Sequence, residues 1–401
     1  MGGGKLMIAF RTRPEVGVLR RPLGQWALVA CLTLTLGACA STPSGVLIPA
    51  TVSKPEAATD VSVLVYSTRA LSDEPGEIYS GQRGDRLSSV VVDITIPPSH
   101  QTGVIEWPRN REVDPAIEFA TRAVTPVPDD AAAEAWIASH AARGHLLIFV
   151  HGYNVPFDKA VYSLAQLTHD SGIEAAPVLF TWPSLGRVWG YVYDRESANY
   201  SRDALETLLV VAARNPEVTE ITVLAHSMGS WIAVEALRQH AIRSSRVDPK
   251  IRNVILAAPD LDVDVFEQQF AALGPERPHF TFLVSRDDKA LRFSRLLAGG
   301  VQRVGAVDPS VGPVRDVLER SGGVTVINLA DVQGRSRLNH SVFLESPEVV
   351  RLLGSSIASG PSLSGAMDLP FEGLVLDMAE TLTSSVVQAK PVARQSSEVN
   401  Y

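Results

Sequence analysis

The residues most capable of chemistry in this chain are a serine in a tight turn and the groups placed to activate it. Ala225-His226-Ser227-Met228-Gly229 sets Ser227 between two small residues, each two positions away. The run before it, Ile221–Leu224, is short and apolar, as in a buried strand. After it, Ile232, Ala233, Ala236 and Leu237 have helical spacing. A serine on a sharp strand-to-helix turn projects its hydroxyl above the sheet edge, the G-x-S-x-G elbow pattern with alanine at its first position. Bulky side chains at the flanking positions would collide with the neighbouring strand and helix. The same turn aims the Met228 backbone N–H at an oxyanion forming on an attacked carbonyl. The five-residue pattern alone also fits an ordinary turn serine; the strand before and helix after set it apart.

A serine nucleophile needs a base, which on such a sheet follows the serine and an acid in chain order. The downstream histidines are His240, His279 and His340. His240 falls on the helix after the elbow, and His279 precedes a strand, at the wrong sheet edge. His340 follows the last strand-like run, at the carboxyl ends of strands where ligands bind. Three carboxylates follow intervening strands at that same edge: Asp260, Asp287 and Asp288. Each is also suited to solvation or to capping a helix. This chemistry needs no cofactor. A metal is not expected: Asp260, Asp262 and Asp264 alternate as in a calcium loop but lack its glycine and distal glutamate. No His/Cys group has zinc spacing.

The elements that must position these groups alternate along the chain. Leu146–Val150, Val178–Trp182, Ile221–Leu224, Val254–Ala257, Phe280–Val284 and Val324–Leu329 read as strands. Between them, Phe157–Thr168 has one apolar face closed by Gly172, and Ala204–Ala213 reads as a second helix. Strand, helix, strand repeated in this way predicts an α/β fold, a doubly wound, mostly parallel sheet with helices on both faces. Val61–Tyr66 and Val90–Ile96 precede it as strands of an N-terminal β region expected to add antiparallel pairing, with Ser80–Arg86 as a turn-rich stretch and Pro97-Pro98 as a stop. The domain is expected to run from 60 to 355. Residues 356–401 form a C-terminal extension, partly disordered, in which Gly373–Leu382 is expected as one amphipathic helix.

The formal charge of −8 includes a basic N-terminal segment, so the remainder is more acidic still. Such a chain is a poor partner for nucleic acid, and anionic headgroups should repel it. Both cysteines, Cys31 and Cys39, lie in the N-terminal apolar region, which leaves the domain no disulfide framework. Basic residues up to Arg21 precede an apolar run from Trp26 to Ala38, the length of a signal-peptide core and too short to span a bilayer comfortably. It ends in Leu36-Gly37-Ala38-Cys39, which resembles the lipobox of bacterial lipoproteins. That resemblance implies a signal peptide over 1–38 and acylation of Cys39, followed by a Ser/Thr/Pro/Ala-rich flexible tether over 39–59. Ala40 and Ser41, rather than an acidic residue, imply the outer membrane facing the periplasm, with the membrane as partner through the lipid.

A set of short motifs runs from about residue 60 to 350. It comprises Ser67-Thr68-Arg69, Ser80-Gly81-Gln82-Arg83-Gly84, Ile96-Pro97-Pro98 with Glu106-Trp107-Pro108, and Phe149-Val150-His151-Gly152-Tyr153-Asn154. It continues with Phe180-Thr181-Trp182-Pro183-Ser184, the Ser227 elbow, Ala258-Pro259-Asp260, Ser285–Leu291, Ser294-Arg295 and His340. As a set these resemble a bacterial α/β-hydrolase family of undefined substrate, esterase- or lipase-like. The resemblance implies a serine hydrolase acting on a small acyl ester, with Ser227, Asp288 and His340 as triad. Asp288 is favoured because the family keeps the aspartate before the basic residue and Ala-Leu. His151-Gly152 resembles the His-Gly oxyanion motif of esterases, which implies the Tyr153 N–H as the donor beside that of Met228, with His151 fixing the loop. Pro183–Asn199, rich in aromatics, is a candidate wall of the substrate site. The same triad serves amidases and peptidases. The alternative from another class is a non-catalytic envelope lipoprotein that binds a ligand or partner on this fold. The sequence gives no reading of oligomeric state.

The lipobox reading predicts that Cys39→Ser abolishes incorporation of labelled fatty acid in a bacterial host and leaves an uncleaved precursor. Labelling that survives the substitution would remove Cys39 as the lipid site.

Overall fold

A computed structural model describes residues 43–109, 112–306 and 323–330, most of 332–359, and 375–377. The expected signal peptide, Cys39 and most of the C-terminal extension lie outside these residues. Among the described residues ten strands form one sheet: β1 (Thr59–Leu71), β2 (Tyr79–Ile96), β3 (Ala120–Val127), β4 (His145–Val150), β5 (Ala176–Thr181), β6 (Glu220–His226), β7 (Ile251–Ala257), β8 (His279–Val284), β9 (Val324–Asn328) and β10 (Val375–Asp377). Their spatial order is β10-β9-β8-β7-β6-β4-β5-β1-β2-β3. All neighbours from β1 and β5 through β9 run parallel. The β1–β2, β2–β3 and β9–β10 pairs are antiparallel. Beyond β6, successive strands add to one side of the sheet, while β4, β5 and β1 lie on the other. This is the doubly wound arrangement the alternation predicts.

The helices cover both faces because the central strands are apolar on both. Along β4, Leu146, Ile148 and Val150 enter one core while Leu147 and Phe149 enter the other. The first core takes α1 (Asp130–His140), α3 (Tyr191–Arg214), α4 (Met228–Ser244) and, through Phe270, α5 (Val263–Ala272). The second takes α2 (Phe157–Ser171) and, through Val349, Val350, Leu353 and Ile357, α8 (Pro347–Ser359). Two short helices, α6 (Lys289–Leu297) and α7 (Val342–Glu345), sit beside the loops at the carboxyl edge of the sheet.

Four expectations are corrected. Ser80–Arg86 is not a turn but part of the 18-residue β2. Its glycines serve close approach: a Cβ on Gly84 would lie 2.6 Å from the Arg69 carbonyl oxygen. The helix expected at Ala204–Ala213 begins at Tyr191; its first turns bury Asp194, Ser197 and Ser201 around Ala198, a mostly polar stripe that hides the helical period. Residues 375–377 of the expected C-terminal helix pair as a strand with β9, whose outer edge otherwise offers unpaired backbone groups. Within the stretch read as a tether, Val46 and Leu47 are buried in the second core. The Val46 carbonyl there accepts hydrogen bonds from the Thr121 and Tyr162 hydroxyls, at 2.8 and 2.9 Å.

That docking makes Leu47→Ala a core truncation. It is expected to lower the unfolding free energy by about 2–4 kcal/mol in a denaturant titration. A change below about 0.5 kcal/mol would mean that the segment behaves as a tether.

Candidate active site

Ser227 joins β6 to α4 with φ 52° and ψ −122°, a conformation that L residues rarely adopt. Its neighbours hold it there. The Ser227 N–H donates to the Ala257 carbonyl at 2.9 Å, and its own carbonyl accepts from the N–H groups of Ser230 and Asp260, at 3.0 and 3.1 Å. Two residues on, a Cβ at Gly229 would lie 2.4 Å from the His151 carbonyl oxygen and 2.7 Å from that of Val150. The backbone of α4 therefore packs directly on the end of β4, which only glycine permits. Ala225, two residues before, is buried in the first core.

His340 follows β9 in the loop leading to α7. Its Nδ1 lies 2.6 Å from Asp288 Oδ2. Asp288 is fully buried, and its other oxygen, Oδ1, accepts from the N–H groups of Ala290 and Leu291 at 2.9 and 3.0 Å, capping α6. One carboxylate thus caps a helix and meets an imidazole. The helix cap fixes the oxygen that faces His340. The two rival carboxylates are engaged elsewhere. The Asp287 side chain is 53% exposed and 3.9 Å from Arg292. Asp260 is buried among Arg303 at 3.1 Å, Ser294 at 2.6 Å and Tyr191 at 3.3 Å.

The loop after β4 comes against the elbow. A Cβ on Gly152 would lie 2.9 Å from Ser227 Cβ and 2.8 Å from His226 Nδ1. Tyr153, the next residue, and Met228, the first of α4, are therefore on two backbone segments in direct contact. His151 anchors this loop. Its Nδ1 donates to the Gly152 carbonyl at 2.9 Å, and its Nε2 accepts from the Trp182 N–H at 3.2 Å. Its ring stacks on Trp182, centroids 5.0 Å apart. Burial, and then the adjacent Arg69 charge, hold its pKa well below the ordinary histidine range, so it is a neutral spacer.

Three residues not singled out as site residues from the sequence prove central to this geometry. His226, buried and also held neutral by burial and by His340, has Nε2 3.2 Å from the His340 carbonyl oxygen and its ring centroid 4.7 Å from that of His340. It ties the His340 loop to the elbow. Arg69 is buried beneath the loop after β4 and donates to Val155 O at 2.8 Å, Ser184 O at 3.1 Å and Thr181 Oγ1 at 2.8 Å. Burial lowers its pKa to about 10. Asp194 accepts from the Asn154 N–H at 3.1 Å, the Leu185 N–H at 3.0 Å and the Ser184 hydroxyl at 2.6 Å. These two buried charges fasten 151–155 to 181–185 from both sides. The Ser67-Thr68-Arg69 motif was the signal for Arg69; nothing in the spacing marks Asp194.

Tyr153 and Tyr191 meet edge to face, with ring centroids 5.3 Å apart, and the Tyr153 hydroxyl donates to the Val188 carbonyl. Tyr191 and Val188, within the stretch 183–199, thus stand beside the loop after β4. Behind His340, the space between Ala257, Leu283, Asp288 and Phe343 is closed to about 10 Å³, so the imidazole is backed by protein. Two roomier clefts, of about 410 and 390 Å³, lie near the amino ends of β7 to β9 and contain none of these residues.

Residues 129–356 match the model of a family described as alpha/beta hydrolase of unknown function (DUF900). An uncharacterised protein of Nostoc sp. is 31% identical over 138 residues, which are 27% of this chain and 36% of that protein, so the match spans about a third of its length. Among solved structures, an esterase of Pyrobaculum calidifontis is 12% identical over 84% of this chain and 92% of its own, with a TM-score of 0.32. Brefeldin A esterase, a bacterial homologue of human hormone sensitive lipase, is 11% identical over 87% and 88%, with a TM-score of 0.36. The family match covers more than half of the chain, and the chain belongs to this family of alpha/beta hydrolases.

Proposed function

We propose that the domain is a serine hydrolase that cleaves carboxylic esters through an acyl-enzyme. The observation that carries this reading is the 2.6 Å contact of a buried Asp288 with His340, on the same sheet edge as a serine held at φ 52°. In the proposed reaction His340 Nε2 takes the Ser227 proton as the hydroxyl oxygen attacks the ester carbonyl. Asp288 keeps the Nδ1–H tautomer and stabilises the imidazolium. The Tyr153 and Met228 N–H groups stabilise the tetrahedral oxyanion. Collapse expels the alcohol, protonated by His340, and leaves acyl-Ser227. Water, deprotonated by His340, then releases the carboxylic acid and restores the serine.

Amides pass through the same steps with a poorer leaving group, so substrate class is a matter of measurement. We propose further that the chain is held at the membrane by acylated Cys39. No helix among the described residues is long and apolar enough to cross a bilayer.

The test is hydrolysis of a graded series of acyl esters and matching anilides by the purified chain. Ester turnover is expected, lowered by roughly 10⁴-fold or more in Ser227→Ala and His340→Ala. Asp288→Asn keeps an oxygen for the α6 cap and is expected to lose a comparable factor of kcat while remaining folded. Gly152→Ala forces the oxyanion loop off Ser227 and is expected to cost about 10²-fold. Turnover that survives Ser227→Ala would remove Ser227 as the nucleophile, and a folded chain inert on every ester and anilide would favour the ligand-binding alternative.

A further inference from the structure

A second cluster of functional side chains lies on the other face of the sheet from α4. It joins the loop after β2 to the end of α2. His100 Nε2 is 2.6 Å from Asp170 Oδ1, and His169 Nδ1 is 3.3 Å from the same oxygen. One ligand atom from each of these three residues falls within 4.8 Å of the others. We propose that His100, His169 and Asp170 form a binding site for a divalent transition-metal ion of the zinc class. This inference does not depend on the reading of Ser227.

The surroundings are those that a metal ligand set requires. A ligating histidine characteristically donates its other ring N–H to a carboxylate, and His100 Nδ1 lies 2.7 Å from Glu106 Oε2. A ligating carboxylate is in turn hydrogen-bonded. Asp170 Oδ2 accepts from the Gly103 N–H at 2.8 Å and the Gln166 side-chain amide at 2.9 Å, which turns Oδ1 toward the two imidazoles. The His100 and His169 rings stand at 80°, centroids 5.2 Å apart, so their nitrogens approach from different directions.

Bonds of about 2.1 Å around a tetrahedral ion separate its ligand atoms by about 3.4 Å. His169 and Asp170 already have that spacing; His100 must withdraw by under about 1 Å. Water would fill the fourth position. Two imidazoles exclude calcium and magnesium as the preferred ion, since those take oxygen ligands.

An ion pair alone accounts for His100, which has a carboxylate at each nitrogen. It does not account for a second imidazole aimed at the same carboxylate oxygen. The His169 side chain is 30% exposed while His100 and Asp170 are nearly enclosed, so the site opens to solvent on the His169 side. Metal entry displaces the Nε2 proton of His100 to solvent, and affinity therefore tightens as pH rises. Sequence spacing hid the group because His100 and His169 sit on elements far apart in the chain.

The site also reaches the His340 segment. The Gln166 amide that holds Asp170 donates to the Leu344 carbonyl at 2.9 Å as well. Gly103 lies so close to α7 that a Cβ there would meet the Glu345 carbonyl oxygen at 2.4 Å. A bound ion would brace the loop after β2, the end of α2 and α7 together.

The test uses the full chain, stripped by chelator and titrated with Co²⁺ and then Zn²⁺. One equivalent of Co²⁺ should give the visible absorption of a four-coordinate ion, bleached by Zn²⁺, and Zn²⁺ should raise Tm. His169→Ala, at a partly exposed position, should remain folded and lose the absorption. Glu106→Gln should bind 10- to 100-fold more weakly. His340→Ala should bind as the parent does, which separates this site from the His340–Asp288 pair. A folded parent without Co²⁺ absorption, or absorption that persists in His169→Ala, would overturn the proposal.

Discussion

The backbone of Ser227 is the constraint on which the surrounding structure depends. A residue at φ 52° persists only where its neighbours over-determine it. Here β7 accepts its N–H through Ala257, the loop after β7 donates to its carbonyl through Asp260, and α4 presses through Gly229 onto the end of β4. Each of those contacts fixes something else in turn. The first sets the β6–β7 register at the site, the second places the loop carrying Asp260, and the third brings His151 and Gly152 against the elbow. The sheet edge is assembled around this strained turn.

Buried polar groups complete that assembly, and most carry two contacts of different kinds. Asp288 caps α6 with one oxygen and meets His340 with the other. His226 is squeezed between Gly152 and the His340 loop, and burial keeps it neutral. Arg69 and Asp194 carry opposite charges, yet each bonds mainly to backbone and hydroxyl groups of the loops between them. A group satisfied in this way is costly to remove, because its partners would be left unpaired in a dry environment.

Much of this was legible in the sequence, for physical reasons. The central strands are apolar on both faces, so they stand out as unbroken runs, and a strand followed by Ala-His-Ser-Met-Gly and an apolar helix marks the turn. What stayed hidden was structure built from polar side chains. The first half of α3 keeps helical spacing at Asp194, Ser197, Ala198, Ser201 and Leu205, but its buried stripe is mostly polar there. Ser80–Arg86 reads as a turn-rich stretch, yet within it Arg83 pairs with Arg69 across a long bulged ladder. Asp260, Asp287 and Asp288 follow strands at one sheet edge; strand order favours the loop of Asp287 and Asp288, but position in the chain does not separate those two. Burial and pairing do, since Arg303 occupies Asp260 and solvent occupies Asp287. Val46 and Leu47 lie in a stretch whose composition is that of a linker, and two apolar residues there were enough to dock it.

The central claim is that this sheet edge activates Ser227, and a covalent probe addresses it without knowledge of the substrate. The purified chain would be treated with a fluorophosphonate, digested, and its modified peptide located by mass spectrometry. The account predicts one adduct, on Ser227, absent from Ser227→Ala and from chain unfolded before treatment. A folded chain that takes up no probe, or takes it up on another residue, would contradict it.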